Sequence, residues 1–215
     1  MDSAALDRQT AYWDRVALKK TFTHVPDLPL LRRNLPLPSR VLDLGCGYGR
    51  LTSLLAGAGF ENITGADISP AMIERGLREN PELDLRVLSG PKLPFSSASF
   101  DLVLLFAVLT CAPEDRGQTE IVAEVKRLLS PGGFLYVSDY LLQEDEKNLA
   151  RYRTFAGKYG RWGVFELEGA VLRHHDRAWL NRLFAGFAWK SFREMQVCTM
   201  NGSPARTFQL LARKE

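Results

Sequence analysis

Val41-Leu42-Asp43-Leu44-Gly45-Cys46-Gly47-Tyr48-Gly49-Arg50 is a short apolar run that breaks into a turn with glycine at every second position. Arg40–Leu44 predicts a buried strand, and Arg50–Ala58, closed by Gly59, predicts the helix after it. Glycine admits positive φ and lets a ligand approach the backbone. The spacing narrows which ligand. A dinucleotide site needs G-x-G-x-x-G, and the third-glycine position here carries Arg50. A P-loop ends in Gly-Lys-Ser/Thr, which this turn lacks. The turn therefore predicts no pyrophosphate clamp and suits a ligand with one nucleoside and a short charged tail.

Downstream the same strand–helix alternation continues. Asn62–Ala66 predicts a second strand that runs into Asp67, and Ser69-Pro70 starts a helix, with serine as cap and proline in the first turn. Asp84–Leu88 and Phe100–Phe106 predict strands three and four, the latter apolar throughout, as a strand buried on both faces is. Glu114–Leu129 predicts a helix, Pro131-Gly132-Gly133 a turn, and Phe134–Ser138 a fifth strand. Alternation of this kind predicts an α/β fold with a parallel sheet and helices on both faces. Asp176–Phe184 predicts one more helix. Trp189–Thr199 and Ala205–Arg213, joined by Asn201-Gly202, predict an antiparallel pair. The expected architecture is a Rossmann-like, seven-stranded, mostly parallel sheet ending in an antiparallel strand pair.

The glycine turn and its surroundings resemble the class I methyltransferases that use S-adenosyl-L-methionine (SAM). Val41–Arg50 resembles their first motif, and Gly65-Ala66-Asp67-Ile68-Ser69 the second. Leu93–Ser96 through Phe100–Val103 resembles the approach to strand four, and Leu128–Gly133 the turn before strand five. The resemblance covers about Arg40–Tyr140. It implies SAM as cofactor, with Asp67 on both ribose hydroxyls, a charge-assisted pair. Gly45, Cys46 and Gly47 would pass close to the methionine tail and ribose, and Ile68 would flank the adenine. Asp43 would either reach the ammonium group of the tail or support the turn through backbone N–H groups. An acid often follows strand three in this family; Ser89 stands there, with Gly90 after it, and these are the candidates for the adenine amino group. Phe106, ending strand four, and Tyr12, on an N-terminal helix, are candidates to cover the cofactor, since an aromatic face attracts a sulfonium cation. Arg50 is expected on the surface.

The N-terminal helix is read over Ala4–Lys20, with Leu6, Tyr12, Trp13 and Val16 as apolar-face positions, and the connector bearing Pro26, Pro29, Pro36 and Pro38 as an ordered loop without helix. Residues 140–173 are read as irregular and rich in aromatics and arginines. Tyr152, Phe155, Tyr159, Trp162 and Phe165 are expected to wall an acceptor pocket. Asp139 and Tyr140 leave strand five at the ligand-binding edge of the sheet. A histidine of near-neutral pKa can serve as base, so His174 and His175 join Asp139 and Tyr140 as catalytic candidates. The division expected is one domain: 1–39 helix and connector, 40–139 cofactor core, 140–175 acceptor cover, 176–215 C-terminal helix and strand pair.

Composition bounds the function. Net charge is +3, too small by itself to point to nucleic acid or membrane. Arg151, Arg153, Lys158, Arg161, Arg173, Arg177 and Arg182 cluster late in the chain, as a solvated surface or a positive rim around an anionic acceptor. The three cysteines are scattered and show no metal spacing, so no metal is expected and a reducing compartment fits. No apolar leader or membrane-length run is present, and a cytoplasmic protein is expected. Cys111 does not sit in the Pro-Cys context of the cytosine-5 methyltransferases, and the Asn-Pro-Pro-Tyr type of motif is absent. Both absences favour a small-molecule acceptor over nucleic acid. An RNA or protein methyltransferase and a non-catalytic SAM-binding module are the alternatives; oligomeric state is left open.

Overall fold

The apolar strand that opens the glycine turn becomes the first strand of a seven-stranded sheet in this computed structural model, which describes residues 3–89, 92–199 and 202–215. The chain runs α1 (Ser3–Val16), α2 (Leu28–Asn34), β1 (Arg40–Leu44), α3 (Arg50–Gly57), β2 (Asn62–Asp67), α4 (Pro70–Glu79) and β3 (Asp84–Val87). It continues through β4 (Phe100–Phe106), α5 (Asp115–Leu128), β5 (Leu129–Tyr140), α6 (Glu146–Tyr159), β6 (Val164–Leu167) and β7 (Ala170–Arg173). It closes with α7 (Arg177–Leu183), β8 (Phe187–Cys198) and β9 (Pro204–Lys214). The sheet order is β3-β2-β1-β4-β5-β9-β8. β1 to β5 pair in parallel, and β9 pairs antiparallel with both β5 and β8.

Alternation along the strands feeds two cores. Leu42, Leu44, Val103, Leu105, Leu135 and Val137 pack with Val122, Val125 and Leu128 of α5 and Leu180 of α7. Val41, Leu102, Leu104 and Tyr136 point the other way and pack with Leu31 of α2 and Leu55 of α3. Both faces of the sheet are therefore covered, which is why β4 carries no polar face. The chain reverses direction of build-out between β1 and β4, so the crevice at their C-terminal ends is the topological switch point.

Three local readings are corrected. The proline-rich connector contains helix α2: Asp27 caps it by accepting from the Leu30 N–H at 2.9 Å, and Pro29 falls in the first turn, where its missing N–H costs nothing. Residues 140–173 are ordered as α6 and the β6–β7 hairpin. Tyr152 is the fully buried residue of α6, so that helix leaves no apolar stripe in the sequence. Residues 131–133 do not separate helix from strand; β5 already pairs with β4 at Leu129, and the irregularity falls in the register between Phe100 and Leu102. In the β8–β9 turn, Gly202 has φ +76°, while Asn201 lies outside the described residues. The Leu6 side chain also lies outside them. Among the described residues, no helix is long and apolar enough to cross a membrane.

Candidate active site

A cavity of ≈ 1270 Å³ opens at the C-terminal ends of β1, β2, β4 and β5. The glycine turn forms its floor. The Gly45 N–H donates to Ala66 O at 2.7 Å, which seats the turn on β2. Gly45 has φ +76°, and a Cβ there would lie 2.5 Å from Cγ2 of Val108. Gly47 has φ +56°, and its Cβ would lie 2.3 Å from Cε2 of Phe22. Side chains from two other segments thus pack directly on the glycines, and only glycine fits beneath them.

Two buried acids flank this turn. The Asp67 carboxylate accepts the Gly47 N–H at 2.8 Å and the Ser69 N–H at 2.9 Å. Burial raises its pKa against those bonds. A carboxylate has about four acceptor positions, so two of them remain for a ligand. Asp43 accepts from the Thr52 hydroxyl at 2.9 Å, and burial pushes it up to about 6. Its partner is thus a side chain of α3, not the backbone of the turn. Leu44, Cys46, Ile68, Leu88, Leu93 and Phe106 complete this end of the wall, with the Phe106 ring edge-on to Tyr136. Ser89 is exposed and absent from the wall; the wall residue there is Leu88, whose N–H donates to Asp67 O. Gly90 lies outside the described residues. Arg50 is not a surface residue. It lines the cavity and donates to the His24 carbonyl, and electrostatically it favours ionised Asp43.

Helix α1 lies over the cavity. Tyr12 and Trp13 both line it, their rings edge-to-face at 5.0 Å. The helix is held from two sides. Asp14 accepts from the Ser69 hydroxyl at 2.6 Å and the Ala71 N–H at 3.1 Å, at the start of α4. Gln9 donates to Val171 O at 3.2 Å on β7. Asp14 had no motif to mark it; its role appears only when α1 and α4 meet.

The four catalytic candidates separate. Tyr140 and His174 line the cavity, with rings stacked at 5.4 Å. Asp139 and His175 are buried and absent from the wall. Asp139 accepts the Thr110 N–H at 3.1 Å and the Tyr140 N–H at 2.8 Å, and so ties the 3₁₀ turn Leu109–Cys111 to the end of β5. Burial pushes it up to about 7. The Nδ1 of His175 lies 3.0 Å from Tyr140 O, and its Nε2 lies 2.8 Å from the Gln118 amide nitrogen. Trp179 donates to the Gln118 oxygen at 2.6 Å, which fixes that amide as donor toward the histidine. Both nitrogens of His175 are occupied, and it is a structural residue.

The aromatic wall is also revised. Of the five rings expected there, Phe165 lines the cavity. Tyr152 lies behind it, bonded to His174, and Trp162 is exposed. Most of the late cations are taken up. Arg153 pairs with Glu146, Lys158 with Glu166, and both Arg161 and Arg173 with Asp115; Arg173 is itself buried. Arg177 stacks on Phe192 and Arg182 lies over Trp179. Arg151 is the member of the cluster that lines the cavity. Cys111 lines it too, as a thiol held protonated by burial.

Residues 42–137 match the family described as methyltransferase domain. The chain is 33% identical over 141 residues to 27-O-demethylrifamycin SV methyltransferase of Amycolatopsis mediterranei, across 61% of this chain and 50% of that protein. It is 35% identical over 105 residues to a ubiquinone biosynthesis O-methyltransferase of Xanthomonas oryzae pv. oryzae, across 46% of this chain and 42% of that protein. The chain thus spans half or less of the length of these curated relatives. A solved SAM-dependent methyltransferase from Methanosarcina mazei superposes with a TM-score of 0.81 at 25% identity, covering 86% of this chain and 97% of that one.

Proposed function

We propose that this chain is a class I SAM-dependent methyltransferase that methylates a small-molecule acceptor inside the cavity beneath α1, a reading supported by the match of residues 42–137 to a methyltransferase domain. The observation that carries the reading is the pairing of Asp67 with the glycine turn on one cavity wall. A carboxylate with free acceptor positions suits vicinal ribose hydroxyls, and the glycine turn brings main chain to the same wall, with Val108 and Phe22 packed on Gly45 and Gly47. Ile68, Leu88 and Leu93 offer an apolar slot for adenine, and Asp43 and Arg50 offer opposite charges for the zwitterionic tail.

When bound, SAM supplies a methyl group on a good leaving group, for in-line displacement. The chain's own contribution is to orient and enclose. Alignment and proximity can supply on the order of 7–11 kcal/mol to such a step. Tyr12, Trp13, Tyr140 and Phe165 present rings that exclude water and flank a flat acceptor. The names of both curated relatives are those of small-molecule methyltransferases, which supports the same acceptor class. We assign residues 40–139 to cofactor binding, α1 and 140–175 to covering the acceptor, and 176–215 to supporting the sheet edge.

The test is calorimetric titration with S-adenosylhomocysteine, with NADH as control and Asp67→Ala alongside. Micromolar binding of the first ligand alone, lost in the variant, is the expected result. Binding of NADH instead, or of neither, would overturn the cofactor assignment.

A further inference from the structure

At the acceptor end of the cavity the position of one histidine hydrogen follows from its neighbours. Tyr152 is fully buried, and its hydroxyl receives the Gln143 N–H at 3.1 Å. A hydroxyl has one hydrogen to give. With Gln143 already donating, the Tyr152 hydrogen needs an acceptor, and among the described residues that acceptor is Nδ1 of His174, at 2.6 Å. In a neutral imidazole the nitrogen that does not accept carries the hydrogen. Nε2 of His174 is therefore an N–H group. It makes no hydrogen bond among the described residues and is not sealed from the cavity that the ring lines.

The ring is held firmly in this pose. Its backbone N–H donates to Gly163 O at 2.9 Å. Its faces and edges meet Tyr140 at 5.4 Å and Phe165 at 4.9 Å. This packing also keeps the imidazole neutral, with its pKa pushed down to about 3. A neutral ring already protonated on its open nitrogen has no lone pair there with which to take a proton.

We propose that Tyr152 is a positioning residue that fixes His174 as an Nε2–H donor, and that this donor binds an oxygen lone pair of the acceptor, on a carbonyl or an ionised hydroxyl, instead of removing a proton from it. The inference rests on the acceptor end of the cavity being read as above. It narrows the acceptor to a molecule with an exposed oxygen lone pair, for which a single N–H donor beside aromatic walls is a fitting partner. An acceptor hydroxyl must then ionise without help from this histidine.

The experiment is nitrogen-15 NMR of the histidine rings in the full chain, which has three histidines. Loss of one ring's signals in His174→Gln assigns it. The expected spectrum shows Nε2 protonated and Nδ1 bare between pH 6 and 8, and Tyr152→Phe mixes the two tautomers. 4-Nitrophenolate added at pH 8 to the S-adenosylhomocysteine complex is expected to shift the His174 Nε2–H signal, and His174→Ala to weaken that probe about tenfold or more. Hydrogen on Nδ1 in the unaltered chain, or titration within that pH range, would overturn the tautomer. A probe that fails to bind, or binds without moving Nε2–H, would overturn the donor role. The tautomer is also read without ligand, so failure of the cofactor assignment stays distinguishable from failure of this one.

Discussion

The Asp67 carboxylate accepts the Gly47 N–H at 2.8 Å, so the acid that ends β2 holds in place the glycine turn that follows β1. The two halves of the expected cofactor cradle are one hydrogen-bonded unit. Asp67→Ala removes both carboxylate oxygens from the cavity wall and at the same time leaves the Gly47 and Ser69 N–H groups unpartnered. Hydrogen bonds to a charged group contribute about 1.5–3 kcal/mol each. The expected loss of S-adenosylhomocysteine affinity is at least about 100-fold, with a lowered unfolding midpoint. Asp67→Asn keeps one acceptor oxygen and should fall between. Equal affinity for all three proteins by calorimetry would remove Asp67 from the site.

Gly47 and Phe22 make a second linked pair. Gly47→Ala sets a Cβ 2.3 Å from the Phe22 ring and also strains a φ of +56°. Overpacking of this kind costs about 1–3 kcal/mol, and the strain about another 1 kcal/mol. Phe22→Ala opens the space and leaves the strain. The double variant should therefore recover more than half of the stability lost in Gly47→Ala, measured by urea unfolding relative to Phe22→Ala alone. Additive losses would mean that the ring and the glycine do not constrain each other.

The sequence made the parallel core legible because glycine turns, a serine–proline helix start and buried strands each leave a local signature. Asp67, Gly45, Gly47, Tyr12, Tyr140 and His174 all line the same cavity. The misreadings share one cause: they depend on partners distant in the chain. His175 looks like a base until Gln118 of α5 and the Tyr140 carbonyl occupy it. Arg173 looks like surface charge, but it is buried and reaches out to the partly exposed Asp115. Arg50, which does start α3, looks like a surface residue until the connector brings the His24 carbonyl to it. Helix α6 was hidden because its stability comes from capping by Asp145 and a single buried ring, and periodicity reports neither.

Gln118 offers a test of the framework behind the cavity. Its amide nitrogen lies 2.9, 2.8 and 2.8 Å from Leu109 O, Ala112 O and His175 Nε2, which share its two hydrogens, and its oxygen accepts from Trp179. Gln118→Leu conserves volume but strands those groups in the interior. The expected destabilisation is about 3–5 kcal/mol, since each unpaired buried polar group costs about 1–3 kcal/mol. Gln118 does not line the cavity, so S-adenosylhomocysteine affinity at low temperature should change less than about threefold, a span of under ~0.7 kcal/mol. A large affinity loss with intact stability would reverse this assignment.

Acid should destabilise the protein, and the buried groups set how steeply. Burial lowers all three histidines, His24 to about 4 and His174 and His175 to about 3. Each stays neutral in the folded chain while its unfolded counterpart gains a proton below pH ~6.5, so its contribution is complete above that pH and is lost on acidification. Burial raises Asp43 to about 6 and Asp139 to about 7. Their contribution runs oppositely, complete below about pH 4 and lost as pH rises through 6 to 7. Near pH 5 the unfolded chain thus holds about three extra histidine protons and the folded chain about two extra carboxyl protons. The net of about one proton makes stability fall by at most about 1.4 kcal/mol per pH unit lost, the raised Asp67 working in the same sense as Asp43. Asp43→Asn removes one opposing proton and should steepen the slope by up to about 1.4 kcal/mol per unit. Urea unfolding from pH 4.5 to 7 measures both slopes. Stability that rises on acidification through pH 5, or a slope unchanged in Asp43→Asn, would contradict the buried, neutral state of these groups.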